Sequence, residues 1–95
     1  MKQLPPDCVS YKQTKVFTEH TVPAGLLRAH KTKPGVWGKI VVVEGRLTYR
    51  INEPAVETHE LSPALHGVVE PEVLHEVEPK GAVRFYVDFH KLDGA

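Results

Sequence analysis

Two histidines give this chain its best prospects for chemistry: His30, in the stretch 23–39, and His75, in the stretch 66–79. A neutral imidazole ring is a good ligand for zinc, and it also suits nickel, iron and manganese. Glu70 lies in the same stretch as His75 and, with Glu72, flanks Pro71. Since a single histidine is more often structural than a ligand, the metal hypothesis requires the fold to bring His30 and His75 together.

Four further side chains are candidates for a ligand pocket: Lys33, Trp37, Lys39 and Asp88. The two lysines would favour an anion if they line an opening, or would discourage aggregation if they lie on exposed strand edges. Trp37 is either a core residue or a platform for stacking. Asp88 lies among aromatic residues, where a carboxylate must face water, pair with a neighbour such as Arg84, or bind a ligand, because burying an unpaired charge is costly.

These residues must be positioned by β-strands, because alternation with a period of two dominates the sequence. The segments 46–51 and 84–90 have apolar side chains at every second position, which predicts strands with one apolar face. The β-branched run 40–43 predicts a strand buried on both faces. Glu44 and Gly45 predict a tight hairpin turn after this run. Further strands are predicted at 9–11, 16–18, 25–30, 56–61, 67–70 and 75–78.

Eight prolines and seven glycines, spread evenly, separate these short segments, and no segment has a convincing helical pattern. Many short strands divided by turn residues are typical of an all-β sandwich, jelly roll or barrel. A length of 95 residues suits one domain, 1–95, with one modest core. The last few residues, 92–95, are expected to form a flexible tail.

Composition excludes several classes of function. Twelve basic residues balance twelve acidic ones and form no stripe, so neither nucleic acid nor an anionic membrane surface is an expected partner. The longest aliphatic run, 40–43, is far too short to span a bilayer, which needs about 20 residues. The N-terminal segment lacks the apolar stretch of a signal peptide. With Cys8 as its only cysteine, the chain forms no internal disulfide, and we expect a cytoplasmic protein.

The two stretches also resemble a known family. The first has the pattern His30-x-Thr32-Lys33-x-Gly35-x-Trp37-Gly38-Lys39, and the second has Val69-Glu70-Pro71-x-x-x-His75. Together they are similar to the cupin-like domain of the TehB-like and YeaR-like family, the N-terminal domain of tellurite-resistance proteins. The similarity extends over most of the chain, from Tyr11 to Phe89.

The resemblance implies a single-domain β-barrel of the cupin type, that is, a jelly roll or double-stranded β-helix that forms a homodimer. It further implies a divalent metal at the barrel mouth, zinc before nickel, iron or manganese, with His30, His75 and Glu70 as ligands. The chain departs from the general cupin pattern at two positions. Thr32 stands where a second histidine is expected, and Gly38 stands where a glutamate is expected.

The function predicted from this resemblance is that of a small metal-binding cupin for a small molecule or oxyanion, associated with tellurite and oxyanion stress. One alternative is a metal-dependent enzyme, either an oxygenase or an isomerase. Another is a non-catalytic module for dimerisation or regulation. Whether the chain is an enzyme stays open, because cupin barrels host unrelated activities. The methyltransferase domain of some TehB-like proteins lies outside this sequence, so methyl transfer is not expected of it.

Overall fold

Two long antiparallel strands carry the architecture. The computed structural model describes residues 1–92, which contain six strands and one short 3₁₀ helix. The strands are β1 Cys8–Gln13, β2 Phe17–Thr18, β3 Trp37–Ile51, β4 Glu57–Leu61, β5 Gly67–Val69 and β6 His75–Leu92, and the helix is Ala24–Leu27. Within this described part, no helix is long and apolar enough to cross a membrane.

All six strands belong to one sheet, in which β3 and β6 pair along almost their whole length. The strand order is β1-β6-β3-β4, while β2 also pairs with β6 and β5 also pairs with β3. Within residues 1–92, β1 and β4 remain at opposite ends of this order and do not pair with each other. The all-β prediction is therefore confirmed, whereas the closed cupin-type barrel is not, because the sheet curls without closing.

The predicted hairpin at Glu44 and Gly45 is wrong, because β3 continues without interruption through both residues. The pairing of β3 with β6 shifts in register on either side of them, between Val42 and Glu44 and between Gly45 and Leu47. Such bulges bend a strand and increase its twist. Gly45 has a φ of 83° and so takes a conformation that other residues adopt only under strain. The glycine identified as a turn residue instead bends a continuous strand.

Two other predicted elements differ from the structure. The strand expected at 25–30 is the 3₁₀ helix, and only its last residue, His30, forms a β-bridge, to His75. The strands expected at 75–78 and 84–90 are one strand, β6, which crosses the predicted turn. Gly81 permits this crossing with a φ of 80°. Of the predicted flexible tail, Leu92 ends β6, and 93–95 lie outside the described residues.

The core lies on the concave side of the sheet. The alternation in the sequence correctly assigned its inward side chains, since Leu47, Tyr49 and Phe85 are almost fully buried. Ile40 and Val42 of β3 and Val87 of β6 belong to the same buried cluster, where these two strands pair. Because strands alternate faces, the residues between these project outward, and this alternation decides which of the candidate residues can reach a common site.

Candidate functional site

The fold brings the two candidate histidines together. His30 and His75 pair as an isolated antiparallel bridge, in which each backbone N–H donates to the carbonyl of the other, at 3.0 and 2.9 Å. The centroids of their rings lie 4.1 Å apart, with the ring planes at 57°. His30 is half-buried at the end of the loop from the 3₁₀ helix, and His75 is buried as the first residue of β6.

Both rings are held in the same tautomer by the backbone. Nδ1 of His30 lies 2.9 Å from the carbonyl oxygen of Arg28, and Nδ1 of His75 lies 2.9 Å from that of Val73. A carbonyl oxygen can only accept a hydrogen bond, so each Nδ1 carries the proton and donates it. In the neutral ring Nε2 therefore keeps a lone pair. The site presents two imidazole nitrogens that can each accept a hydrogen bond.

His75 stays neutral at physiological pH. Burial lowers the pKa of His75 to about 4, because the charged imidazolium would lose its hydration, and the nearby His30 adds a smaller effect in the same direction. The hydrogen bond to Val73 opposes this shift without reversing it. Nε2 of His75 is thus an acceptor across the physiological pH range.

Tyr49 supports the histidine pair from the side of the core. Its ring meets that of His75 edge-on, with centroids 5.9 Å apart, and its hydroxyl donates to the carbonyl of Val68 at 2.9 Å. Burial raises the pKa of Tyr49, so the phenol remains protonated. From the sequence Tyr49 was assigned to the apolar face of a strand, and nothing in the local pattern indicated its contact with a histidine.

A cavity of about 550 Å³ opens beside the histidines, between the concave face of the sheet and the segment 23–36. Both His30 and His75 line it. Its walls are mainly apolar and include Phe17, Ile40, Val69, Val77, Phe85 and Val87. A cavity of this size and character fits a small organic molecule.

Only one of the four predicted pocket residues lines this cavity. Lys33 does so, whereas Trp37, Lys39 and Asp88 project from the opposite face. The positions that face the cavity are Gly38 and Ile40 in β3 and Val87 and Phe89 in β6, and side chains alternate between the two faces along each strand. Asp88 accepts hydrogen bonds from Ser10 and, at 3.2 Å, from His90. These two bonds satisfy the carboxylate outside the cavity, and its partners are Ser10 and His90 instead of the expected Arg84, which pairs with Glu44.

The predicted third metal ligand is also elsewhere. Glu70 forms an ion pair with Lys2 at 3.1 Å and does not line the cavity. At Gly38, where the general cupin pattern has glutamate, an added Cβ would lie 3.2 Å from Cβ of Val69, so the position has little room for a side chain. Thr32 donates its hydroxyl to the carbonyl of Val36 at 2.8 Å. Within residues 1–92, no group of three His, Cys, Asp or Glu side chains could hold a metal ion.

Most lining residues were not identified from the sequence as site residues, among them Tyr11, Lys12 and Lys31. Tyr11 and Lys12 lie in β1, where a register shift against β6 between Ser10 and Lys12 alters the alternation of faces. A period-two pattern cannot reveal such a bulge. Lys31 follows His30 directly, at a position that the family pattern leaves unspecified.

The fold and cavity define a small antiparallel β domain built around an apolar pocket with a histidine pair. The family profile described as "TehB-like domain" matches residues 12–87, and the chain therefore belongs to the TehB-like family. This confirms the family predicted from the two histidine stretches.

Relatives and solved structures agree with this assignment. The chain is 36% identical over 76 residues to the probable S-adenosyl-L-methionine-dependent methyltransferase TehB of Haemophilus influenzae, covering 76% of this chain and 27% of that protein. TehB in a second strain matches to the same extent. The crystal structure of TehB from H. influenzae superposes with a TM-score of 0.83 at 29% identity, covering 92% of this chain and 32% of the other. A solved protein of Escherichia coli K12 superposes with a TM-score of 0.85 at 25% identity, covering 97% and 98%.

These findings overturn the predicted function. The relatives are named for S-adenosylmethionine-dependent methyl transfer, so the interpretation as a metal-binding cupin is wrong, and so is the assignment of zinc or another divalent metal as cofactor. The donor set agrees with this correction, since His30 and His75 have no third ligand within the described residues. The chain spans about a quarter of the length of these relatives, 27%.

Proposed function

We propose that this chain is a small-molecule-binding module that works with an S-adenosylmethionine-dependent methyltransferase and holds a largely apolar molecule bearing an N–H or O–H group. The observation that supports it is the pair of Nε2 acceptors of His30 and His75 beside an apolar cavity of about 550 Å³. The N–H or O–H group of such a molecule would donate to a histidine Nε2, and its apolar part would pack against the cavity walls.

The histidine pair selects for a hydrogen-bond donor. An acceptor that loses water and finds no partner is penalised by about 1–3 kcal/mol, so an apolar ligand with no donor would bind less well than one that has a donor. His75 is the stronger discriminator, because it is the more buried of the two histidines and stays neutral. The apolar walls supply most of the affinity through the surface they remove from water.

The link to methyl transfer comes from the names of the relatives. Many methyl acceptors carry a heteroatom whose proton is replaced by the methyl group, and this is the type of group that the histidines would recognise. Since the chain spans 27% of TehB, we assign the methyl transfer itself to the part of the relatives outside this match.

The cavity does not suit S-adenosylmethionine itself. That cofactor carries a positive sulfonium, and its ribose hydroxyls are usually bound by an acidic side chain. Three lysines line the cavity, and among residues 1–92 no aspartate or glutamate does. We therefore propose that methyl transfer does not take place in this cavity.

Two further parts of the proposal concern the molecule as a whole. We place the protein in the cytoplasm, a compartment that suits its single free cysteine. We also propose a homodimer, for which the partly exposed apolar residues Trp37, Val41 and Val43 on the outer face of β3 offer a surface. Light scattering after size exclusion distinguishes the dimer from the monomer, and Val43→Lys should weaken a dimer built on this face.

The binding proposal is tested with a matched pair of probes, N-phenyl-1-naphthylamine and 1-naphthyl phenyl ether. They share shape and apolar surface, but only the amine has an N–H. We expect the amine to bind roughly fivefold to tenfold more tightly, since one satisfied acceptor is worth about 1 kcal/mol. In His75→Phe, which keeps an aromatic ring and removes one of the two Nε2 acceptors, the preference for the amine should shrink, and in His30→Phe/His75→Phe the two probes should bind equally.

A cavity variant provides the control for location. Val77→Trp, which fills the wall beside the histidines, should abolish binding of both probes, whereas Val56→Trp, at an exposed position that does not line the cavity, should leave it intact. Equal affinities of the amine and the ether for the wild type would refute the role of the histidines. Binding that survives Val77→Trp in a folded protein would refute the cavity as the site.

A further inference from the structure

We infer that the mouth of this cavity binds an anionic group, so that the ligand is an amphipathic organic anion. This inference rests on the proposed function and specifies the class of ligand. Three lysines from two separate segments line the same cavity: Lys12 from β1, and Lys31 and Lys33 from the loop after His30. All three are exposed, so they mark the side on which the cavity meets solvent.

Lys12 reaches the cavity through the irregularity in β1. Ser10 pairs with His90 and Lys12 pairs with Phe89, with a register shift between them. In a regular strand Ser10 and Lys12 would share one face. Here Ser10 bonds to Asp88 on the outer face, whereas Lys12 lies on the side of Phe89, which lines the cavity. Bulges commonly re-aim a side chain beside a binding site, and this one adds a positive charge to the mouth.

The three ammonium groups have no carboxylate partner within residues 1–92, whereas Lys2 and Lys80 are paired with glutamates at 3.1 and 3.4 Å. In the same described part of the chain, no acidic residue lines the cavity. The whole chain carries a formal net charge of zero, so the mouth is a local concentration of positive charge. An anion entering it meets attraction from several sides and repulsion from none of the lining residues.

The other polar side chains of the lining are largely committed to the protein. Thr14 donates its hydroxyl to the carbonyl of Lys15 at 2.8 Å and accepts from the N–H of Val87 at 3.0 Å. Thr32 donates to the carbonyl of Val36 at 2.8 Å. The charged and polar groups left for a ligand are therefore the histidine acceptors, the lysine donors at the mouth and the hydroxyl of Tyr11. A matching ligand has an N–H or O–H group, an apolar body and an anionic group.

The test uses 8-anilinonaphthalene-1-sulfonate, which has the same body and N–H as N-phenyl-1-naphthylamine and adds one sulfonate. We expect the wild type to bind the sulfonate roughly tenfold more tightly at low salt, because three exposed charges each contribute modestly. The preference should shrink at about 0.5 M salt, where the Debye length falls to a few ångströms. In Lys12→Gln/Lys31→Gln/Lys33→Gln the preference should disappear, while the amine binds as before.

A matched control removes the same amount of charge elsewhere. The variant Lys2→Gln/Lys39→Gln/Lys80→Gln changes three lysines that do not line the cavity and should keep the preference. Equal binding of the amine and the sulfonate to the wild type, or an equal loss of preference in both triple variants, would overturn the inference and leave the proposed function standing. Failure of the wild type to bind the amine would instead overturn the proposed function.

Discussion

His30 and His75 exchange both of their backbone hydrogen bonds, at 3.0 and 2.9 Å, and this pairing sets their ring centroids 4.1 Å apart. Each ring is also anchored through Nδ1 to the carbonyl two residues before it. Neither ring can turn without breaking one of these bonds. The two Nε2 acceptors are thus arranged before any ligand arrives, which lowers the entropic penalty of binding.

The first prediction concerns the stability of the protein at acid pH. The pKa of His75 falls from 6.5 in the unfolded chain to about 4 in the folded one, so the unfolded chain binds the extra proton between these values. Stability from this residue is complete above pH 6.5 and is lost as the pH falls toward 4. We expect the loss to reach roughly 2–3 kcal/mol at pH 4. Urea unfolding at pH 7, 5.5 and 4.5 measures it.

The matched variant for this experiment is His75→Phe, which keeps the ring and cannot titrate. Its unfolding free energy should fall less than that of the wild type over the same pH range, and the difference isolates His75 from the other histidines. His30 and Tyr49 face His75 and remain in both proteins. Parallel pH profiles for the two proteins would contradict a buried, neutral His75.

A second prediction tests the support given by Tyr49. Tyr49→Phe removes the donor to the carbonyl of Val68 and leaves that oxygen without its partner in the core. We expect a loss of about 1–2 kcal/mol in the free energy of unfolding. Tyr86→Phe, on the outer face of β6, is the control and should change stability by less than about 0.5 kcal/mol. Similar effects of the two variants would refute a structural role for the buried hydroxyl.

Much of the fold and part of the site were predictable, because period-two alternation records which side chains face the core. The same alternation places Asp88 and Lys39 on the outer face once Phe89 and Ile40 are assigned inward. The family pattern singled out His30 and His75, which the structure joins by a backbone bridge, but the metal that they were predicted to bind is not the cofactor to which the relatives point. The pattern also included Glu70 as a candidate ligand. Nothing in the sequence around Glu70 indicated its ion pair with Lys2.

The remaining features depend on local departures from regular strands. Gly45 looked like a turn residue because its positive φ suits a turn, yet in β3 the same freedom serves a bulge between long paired strands. Lys12 reached the cavity only through a bulge in β1. Such irregularities arise from how two strands pair, and a single strand's sequence does not contain that information.

A third prediction separates the outer face from the cavity. Asp88→Asn and Lys39→Gln should leave the affinity for 8-anilinonaphthalene-1-sulfonate within about twofold of the wild type, because neither residue lines the cavity. Lys33→Gln, which removes one charge from the mouth, should weaken it by roughly twofold to fivefold. Fluorescence titration at low salt measures all three. A larger effect of Lys39→Gln than of Lys33→Gln would reverse the assignment of faces.

The fourth prediction compares two glycines that share a backbone conformation and differ in their surroundings. Gly45 and Gly81 have φ values of 83° and 80°. An added Cβ at Gly45 would lie 2.2 Å from the carbonyl oxygen of Ala82, whereas at Gly81 it would meet nothing within 4 Å. Gly81→Ala should therefore show only the conformational penalty of about 1–2 kcal/mol.

Gly45→Ala should show that penalty and a steric one as well, because the obstructing atom is backbone in the paired strand β6 and cannot move aside cheaply. We expect it to lose at least about 2 kcal/mol more than Gly81→Ala, since overpacking a close contact typically destabilises by about 1–3 kcal/mol. Urea unfolding of both variants at pH 7 gives the comparison. Equal losses would contradict the close approach of Gly45 to the carbonyl of Ala82 and would mean that the bulge of β3 has room for a side chain.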